Sequence, residues 1–122
     1  MPLLTAGRDF YVSRAHSNSA QVLDSTHCYV AVGDSAAAFS AGHTDLQGTN
    51  KFRKLVDTVS VTGNVATYSA IFEVDEANFA WNEWGIANNG TTGLVNRKVF
   101  SSGTKTNGQR WVVTVTVTTD AP

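Results

Sequence analysis

The chain has 122 residues, of which 42% are hydrophobic and 16% charged: enough apolar material for one folded domain, and too few charges for a disordered chain. The formal net charge is −1 and the nine basic residues are scattered, so the concentrated positive field that nucleic-acid binding requires is missing. A single cysteine excludes an intrachain disulfide, and no apolar run approaches the length of a membrane-spanning helix. We therefore expect neither nucleic-acid binding nor membrane insertion.

The beginning of the chain differs from the rest and predicts an N-terminal arm or short helix, which we place at residues 1–19, with a helix possible over 4–15. Thr5 is a candidate N-cap, and Ala6, Asp9 and Phe10 would share one helical face. The remaining residues, 20–122, form the predicted β domain.

The arm also carries apolar side chains without a sustained period. Such side chains, on a segment that cannot fold alone, need a surface to pack on. We expect them to contact a neighbouring subunit; the candidate interface residues are Leu3, Leu4, Phe10 and Tyr11.

From residue 28 the pattern becomes that of strands. The run CYVAV (28–32) predicts a short apolar strand in which Cys28 is a buried, inert thiol. Residues 33–50 lack a period and predict a long ordered loop. Residues 55–61 and 65–74 alternate around a turn at 62–64 and predict a hairpin. We expect Leu55, Val59 and Val61 to share one face of the first strand, and Ala66, Tyr68, Ala70, Phe72 and Val74 to share one face of the second.

The second half continues in the same manner. Residues 79–87 predict a strand, 88–93 a turn, 94–100 the return strand, 101–109 a loop and 110–119 a last alternating strand. Strands joined by turns, without intervening helices, indicate an all-β fold. We predict a single antiparallel β-sandwich or barrel-like domain.

The stretch EANFAWNEWGIANNG (76–90) contains two of the three tryptophans. Trp81 and Trp84 are three residues apart, so on a regular strand they point to opposite faces. A sugar-binding platform would need rings on one face, whereas opposite faces suit a strand buried on both sides, against the core and against a partner subunit or second sheet. We predict mainly structural roles and include both tryptophans among the candidate interface residues, with ligand binding as the alternative.

Candidates for catalysis or metal binding are weak. Gly33-Asp34-Ser35, followed by His43, resembles the nucleophile block of a serine hydrolase family, but the late acid–histidine block of that family is missing, so a turn is the better interpretation. The three histidines and Cys28 lack the spacing of a zinc site. The prediction is a non-enzymatic protein without catalytic residues, cofactor or metal.

Several segments, in order along most of the chain, together resemble small virion structural proteins of tailed bacteriophages. The most specific is the E-A-N-x-x-W-x-E-x-G block within residues 76–86, which is also similar to blocks in tail-fibre attachment domains. The others are residues 7–10, 30–34, 45–49, 53–54, 94–99, 105 and 111–117.

The resemblance implies a virion protein made in the host cytoplasm, and no catalytic residues come with it. We expect a capsid decoration (cement) protein that forms a homo-oligomer, in the first instance a trimer, and contacts the major capsid protein. The alternative is a tail or tail-fibre accessory protein that binds a host-surface glycan or attaches a fibre.

Overall fold

The computed structural model describes residues 3–16 and 23–118; for residues 11–16 it describes the backbone only. The elements, in chain order, are one helix, α1 (Thr5–His16), and the strands β1 (Tyr29–Gly33), β2 (Lys51–Leu55), β3 (Thr58–Thr62), β4 (Val65–Phe72), β5 (Ala80–Ala87), β6 (Lys98–Thr104) and β7 (Trp111–Thr118). They form two antiparallel sheets, ordered β2-β1-β5-β6 and β3-β4-β7. The predicted all-β sandwich with a short N-terminal helix is confirmed.

The strand β1 lies inside the larger sheet and is buried on both faces. Val30 and Val32 face the smaller sheet, while Ala31 faces a second apolar cluster on the outer side. This is why residues 28–32 are apolar without alternation. Cys28, just before the strand, is fully buried in the main core, and burial raises the pKa of its thiol to about 12. The long loop predicted after this strand is confirmed, since β2 begins only at Lys51.

A chain of aromatic rings joins the two sheets. Phe52 of β2 contacts Phe72 of β4, with ring centroids 6.1 Å apart. Phe72 contacts Trp81 of β5, and Trp81 contacts Trp111 of β7, each pair at 4.8 Å. All three contacts are edge-to-face, the favoured arrangement for aromatic pairs. Because successive rings come from alternate sheets, these ring contacts fix the position of one sheet relative to the other.

The smaller sheet has the regular alternation that its sequence predicts. β4 and β7 pair over eight residues without interruption. Tyr68, Ala70, Phe72 and Val115 are buried, whereas the outward positions of β7 are exposed. Gly63, at the two-residue turn between β3 and β4, has a φ of 59°, which glycine adopts without steric cost. The predicted hairpin turn at 62–64 is thereby confirmed.

The prediction of one strand over residues 55–61 is wrong. The amide of Val56 donates to the carbonyl of Cys28 in the larger sheet, and the amide of Asp57 donates to the carbonyl of Ser69 in the smaller sheet. The chain therefore crosses between sheets at this point, and β2 and β3 belong to different sheets. Leu55, at the end of β2, is 38% exposed, and Val61, on the edge strand β3, is 68% exposed.

The return strand after β5 also differs from its prediction. Residues 94–97 lie beside β5 without forming a strand; the backbone links are a bridge between Leu94 and Ala87 and a hydrogen bond from the Val95 amide to the Ile86 carbonyl. The strand itself, β6, runs from Lys98 to Thr104, and so includes residues that we predicted to be loop. Their Ser/Gly composition hides them, because β6 is an edge strand with few buried side chains.

The helix α1 begins as predicted but uses a different face. Leu4 accepts a hydrogen bond from the amide of Arg8 and so occupies the cap position that we predicted for Thr5. Gly7 is buried against Val95, whereas Ala6 and Asp9 are exposed. The beginning of the helix thus packs on the β domain of its own chain.

A close approach between β5 and the segment after it gives a first prediction. A Cβ at Gly85 would overlap the carbonyl oxygen of Asn96. We expect Gly85→Ala to lower the free energy of unfolding by about 3 kcal/mol, the upper range for overpacking. Gly90→Ala is the control, because its nearest neighbour is the Tyr29 ring at 3.8 Å. Urea unfolding measures both; equal losses would contradict the prediction.

An ion pair connects β2 with the turn after β4. Lys54 Nζ lies 2.8 and 2.9 Å from the two carboxylate oxygens of Glu76, which also accepts the amide of Glu73. The hydrogen bonds from Lys54, and then that from the Glu73 amide, lower the pKa of Glu76 below its ordinary value of 4.5. The folded state therefore favours the ionised carboxylate. This stabilisation is present above pH 4.5 and is lost as the pH falls through the lower pKa of the folded state.

We expect Glu76→Gln to reduce the loss of stability between about pH 5 and pH 2, where the wild-type carboxylate takes up a proton. Lys54→Met removes the cation that pairs with the Glu76 carboxylate, so it should reduce the loss of stability at low pH in a similar way. Urea unfolding at several pH values tests this. An unchanged slope in both variants would show that the ion pair contributes nothing.

Candidate functional site

A buried ion pair organises the outer side of the larger sheet. Glu83 of β5 and Arg97 are both fully buried, with 2.7 Å between the Arg97 Nε and a Glu83 carboxylate oxygen. The same carboxylate accepts backbone amides from Ser35, at 3.2 Å, Gln47, at 2.8 Å, and Gly48, at 2.7 Å. Four donors thus compensate the loss of hydration of one buried charge.

This pair explains how an irregular loop of this length is held in place. Gly33 and Gly48 lie so close to Glu83 that a Cβ at either position would meet its carboxylate. Asp34 extends the network by accepting hydrogen bonds from the amide and side chain of Asn50. The two terminal nitrogens of Arg97 are buried and make no hydrogen bond to the described part of the chain. The geometry is structural, because the carboxylate is fully occupied by its own chain.

An open cleft with a volume of about 610 Å³ lies between the two sheets. It lies on the side of the sandwich where β6 and β7 are the sheet edges. Apolar side chains from both sheets form most of it; its charged lining residues are Lys98, Arg110 and the fully buried Glu83. The residues that line it include Val30, Trp81, Trp84, Lys98, Phe100, Arg110 and Val113.

The tryptophan pair lies in this cleft, and our prediction that its members face opposite sides of the sheet is wrong. Trp84 pairs with Val32, whose side chain lies in the core between the sheets, and Trp81 contacts Phe72 in the same core. The pairing of β5 with β6 shifts register between Trp81 and Glu83. Such an irregularity reverses the face on which the following residues lie. Trp81 is only 5% exposed, whereas Trp84 is half-buried and lines the cleft.

The other predicted interface residues lie away from the cleft. Leu3 bridges to Asn96, and Leu4 is fully buried in the outer apolar cluster of its own chain, so Leu4 has no surface left for a neighbour. Phe10 is partly buried, and the side chain of Tyr11 lies outside the described residues. An intersubunit contact by the arm stays a prediction.

Ser35 and His43, the residues considered for catalysis, make no hydrogen bond to each other; the His43 amide donates to the carbonyl of Ser40. The hydroxyl oxygen of Ser35 accepts a hydrogen bond from the amide of Ala37, as in a turn. The backbone amide of Ser35 donates to the carboxylate of Glu83. Within residues 3–10 and 23–118 no three His, Cys, Asp or Glu side chains come together as metal ligands. The described helix is not long and apolar enough to cross a membrane.

Sequence reasoning missed the buried charges. Arg97 and Lys105 are both buried, and Lys105 Nζ donates to the carbonyl of Glu73 and the side chain of Asn78. Charged residues are rarely buried, so hydrophobic patterning predicts that they lie on the surface. The available signal was the run Leu94–Lys98, in which polar residues directly follow apolar ones instead of alternating with them.

Comparison with models of protein families, with curated protein sequences and with solved structures gives no match for this chain.

The buried pair gives a matched test. We expect Glu83→Gln to cost about 3–5 kcal/mol of unfolding free energy, because it leaves Arg97 buried without its counter-charge. Glu73→Gln is the control: Glu73 pairs with Arg110 on the surface, where the two side chains are 47% and 55% exposed. Its loss should stay below about 1 kcal/mol. Chemical denaturation measures both, and a small loss in Glu83→Gln would show that the pair is not a structural centre.

Proposed function

We propose that this chain is a non-enzymatic structural protein of a tailed-bacteriophage virion, and that it acts as a capsid decoration (cement) protein. The observation that carries the proposal is the open side of the sandwich. Phe100, at the edge of the cleft, is 57% exposed, and Val112, on the adjoining outer face of β7, is 64% exposed. Apolar surface of this kind, rimmed by polar residues, is typical of surfaces that bind other proteins.

The rest of the molecule supports a role as a rigid building block. The aromatic chain joins the sheets, and the pair of Glu83 and Arg97 fixes the longest loop. Interfaces between pre-organised partners lose little conformational entropy on binding, so a rigid domain suits assembly. The phage setting itself comes from the sequence resemblance centred on residues 76–86.

In this proposal the protein forms a homo-oligomer, in the first instance a trimer, on the major capsid protein. Its contacts connect neighbouring capsid subunits and strengthen the shell against the pressure of the packaged DNA. The outer face of the smaller sheet carries hydroxyl side chains instead of charges, among them Ser69 and Thr114, which lie within 3.3 Å of each other. Such a face can remain in contact with solvent while the open side is covered.

Particles that lack the protein should assemble and then lose their DNA at a lower temperature, or under milder osmotic shock, than complete particles. Adding purified protein should restore resistance, and Phe100→Asp should fail to do so because it places a charge in the apolar contact. Val61→Asp is the control, an exposed apolar position on β3, at the opposite edge of the smaller sheet from β7. Particles of unchanged robustness without the protein would contradict the cement role.

A second function is favoured by one observation, the placement of Trp81, Trp84 and Trp111 along a single cleft. Trp84 is the half-buried ring of β5 in this groove, and an accessible aromatic ring can stack on a sugar, so a tail or tail-fibre protein that binds a host-surface glycan is the alternative. In that case Trp84→Ala would reduce adsorption of the phage to cells while particle robustness stays unchanged. Adsorption assays and glycan-binding measurements separate the two functions.

A further inference from the structure

The two sheets have unequal numbers of strands, and the difference falls at the cleft. The larger sheet ends with β6 and the smaller with β7. The contact of Trp81 with Trp111 shows that β5 lies opposite β7. β6 is the next strand beyond β5, and the cleft lies between it and β7. Within the described residues no strand pairs with the outer edge of β7, and Phe100 of β6 stays 57% exposed.

The edge strand β7 lacks the features that usually prevent an edge from pairing. Protected edges are short or carry charges, prolines or bulges. β7 has eight residues, WVVTVTVT, without a charge or a proline, and its pairing with β4 has no bulge. Its free edge therefore presents a straight row of backbone donors and acceptors beside an apolar cleft.

We propose that the cleft accepts an extended segment of a partner polypeptide, which pairs with β7 as a fourth strand of the smaller sheet and lies opposite β6. The proposal rests on the assembly role given above and names the kind of contact that this role would use. Addition of a strand to an open edge combines backbone hydrogen bonds, which give affinity, with side-chain pockets, which give specificity. The added strand would cover the exposed rings and complete a sandwich of two four-stranded sheets.

A second copy of β7 does not fit this position. Neighbouring strands lie about 4.8 Å apart, so direct pairing of β7 with its copy would bring the two β5 strands within a few strand spacings of each other. Both overhanging β6 strands would then have to occupy the same narrow space between them. One inserted segment for each domain removes this conflict. A single strand supplied by a partner meets the geometric requirement that a copy of β7 does not.

The chemistry of the cleft describes this segment. Every second side chain would point inward onto Trp84, Phe100 and Val113, so these positions should be apolar. The alternate positions would lie level with Thr114 and Thr116 on the outer face and should be polar. Lys98 lies 5.8 Å from the ring centre of Phe100 and has no acidic partner among residues 3–10 and 23–118, whereas Arg110 is paired with Glu73. An acidic residue near one end of the segment would pair with Lys98.

The test starts from random peptides of about ten residues, the upper end of usual strand lengths, selected for binding to the purified full chain. We expect the selected peptides to alternate apolar with polar residues and to carry an acid at one end. Bound peptide should protect alternate amides of β7 from hydrogen exchange. The variant Lys98→Glu should weaken binding about tenfold, and a peptide with lysine in place of the acid should recover it.

Backbone pairing is tested directly with two N-methylated forms of the best peptide. Successive amides of a strand point to opposite sides, so methylating one alternate set blocks pairing with β7 and methylating the other does not. We expect a loss of about 100-fold for the first set, as for several hydrogen bonds removed together, and less than about threefold for the second.

Three outcomes would overturn the proposal: no binding peptide is recovered, the two methylated sets weaken binding equally, or the protected amides lie outside β7. Binding of oligosaccharides that depends on Trp84 and displaces no peptide would assign the cleft to sugars instead. These measurements use purified protein. If they fail while particles still depend on the protein for robustness, this contact is wrong and the cement role stands.

Discussion

The structure depends on the ion pair and hydrogen bonds that compensate the buried charge of one carboxylate. Glu83 lies on the outer face of the larger sheet, where Arg97 and three loop amides saturate its oxygens. To supply these donors, the loop after β1 must fold back over β5, and the segment before β6 must turn its guanidinium inward. Glycines are required at the closest approaches, as at Gly48. A single charge thus determines the course of two segments that have no regular secondary structure of their own.

On the other face of the same sheet, aromatic packing determines how the sandwich closes. The rings of Phe52, Phe72, Trp81 and Trp111 alternate between the sheets and hold them together from β2 to β7. The chain of rings ends at Trp111. Beyond it the sheets are no longer held together, and the cleft begins where the ring contacts stop. The same aromatic packing therefore closes the sandwich from β2 to β7 and leaves the cleft open beside β6.

The regular strands could be predicted from the sequence, because β4 and β7 each have one more buried and one more exposed face and their residues alternate accordingly. Two features escaped this reasoning. The crossing at Val56 and Asp57 leaves hydrophobic periodicity almost unchanged, since both sheets bury apolar residues. The register shift after Trp81 depends on pairing with a distant strand, which no local pattern records. The candidate site was missed for the same reason: its tryptophans are brought to one side by that shift.

The state of Cys28 has a practical consequence for spectroscopy. Its thiol is fully buried and, with a pKa near 12, stays protonated at neutral pH, whereas alkylating reagents react with exposed thiolates. A cysteine introduced on the surface, for example at Val112, would be the reactive thiol of the folded chain. A fluorophore or spin label can therefore be attached there without first replacing the native cysteine, so the packing of the core remains that of the wild type.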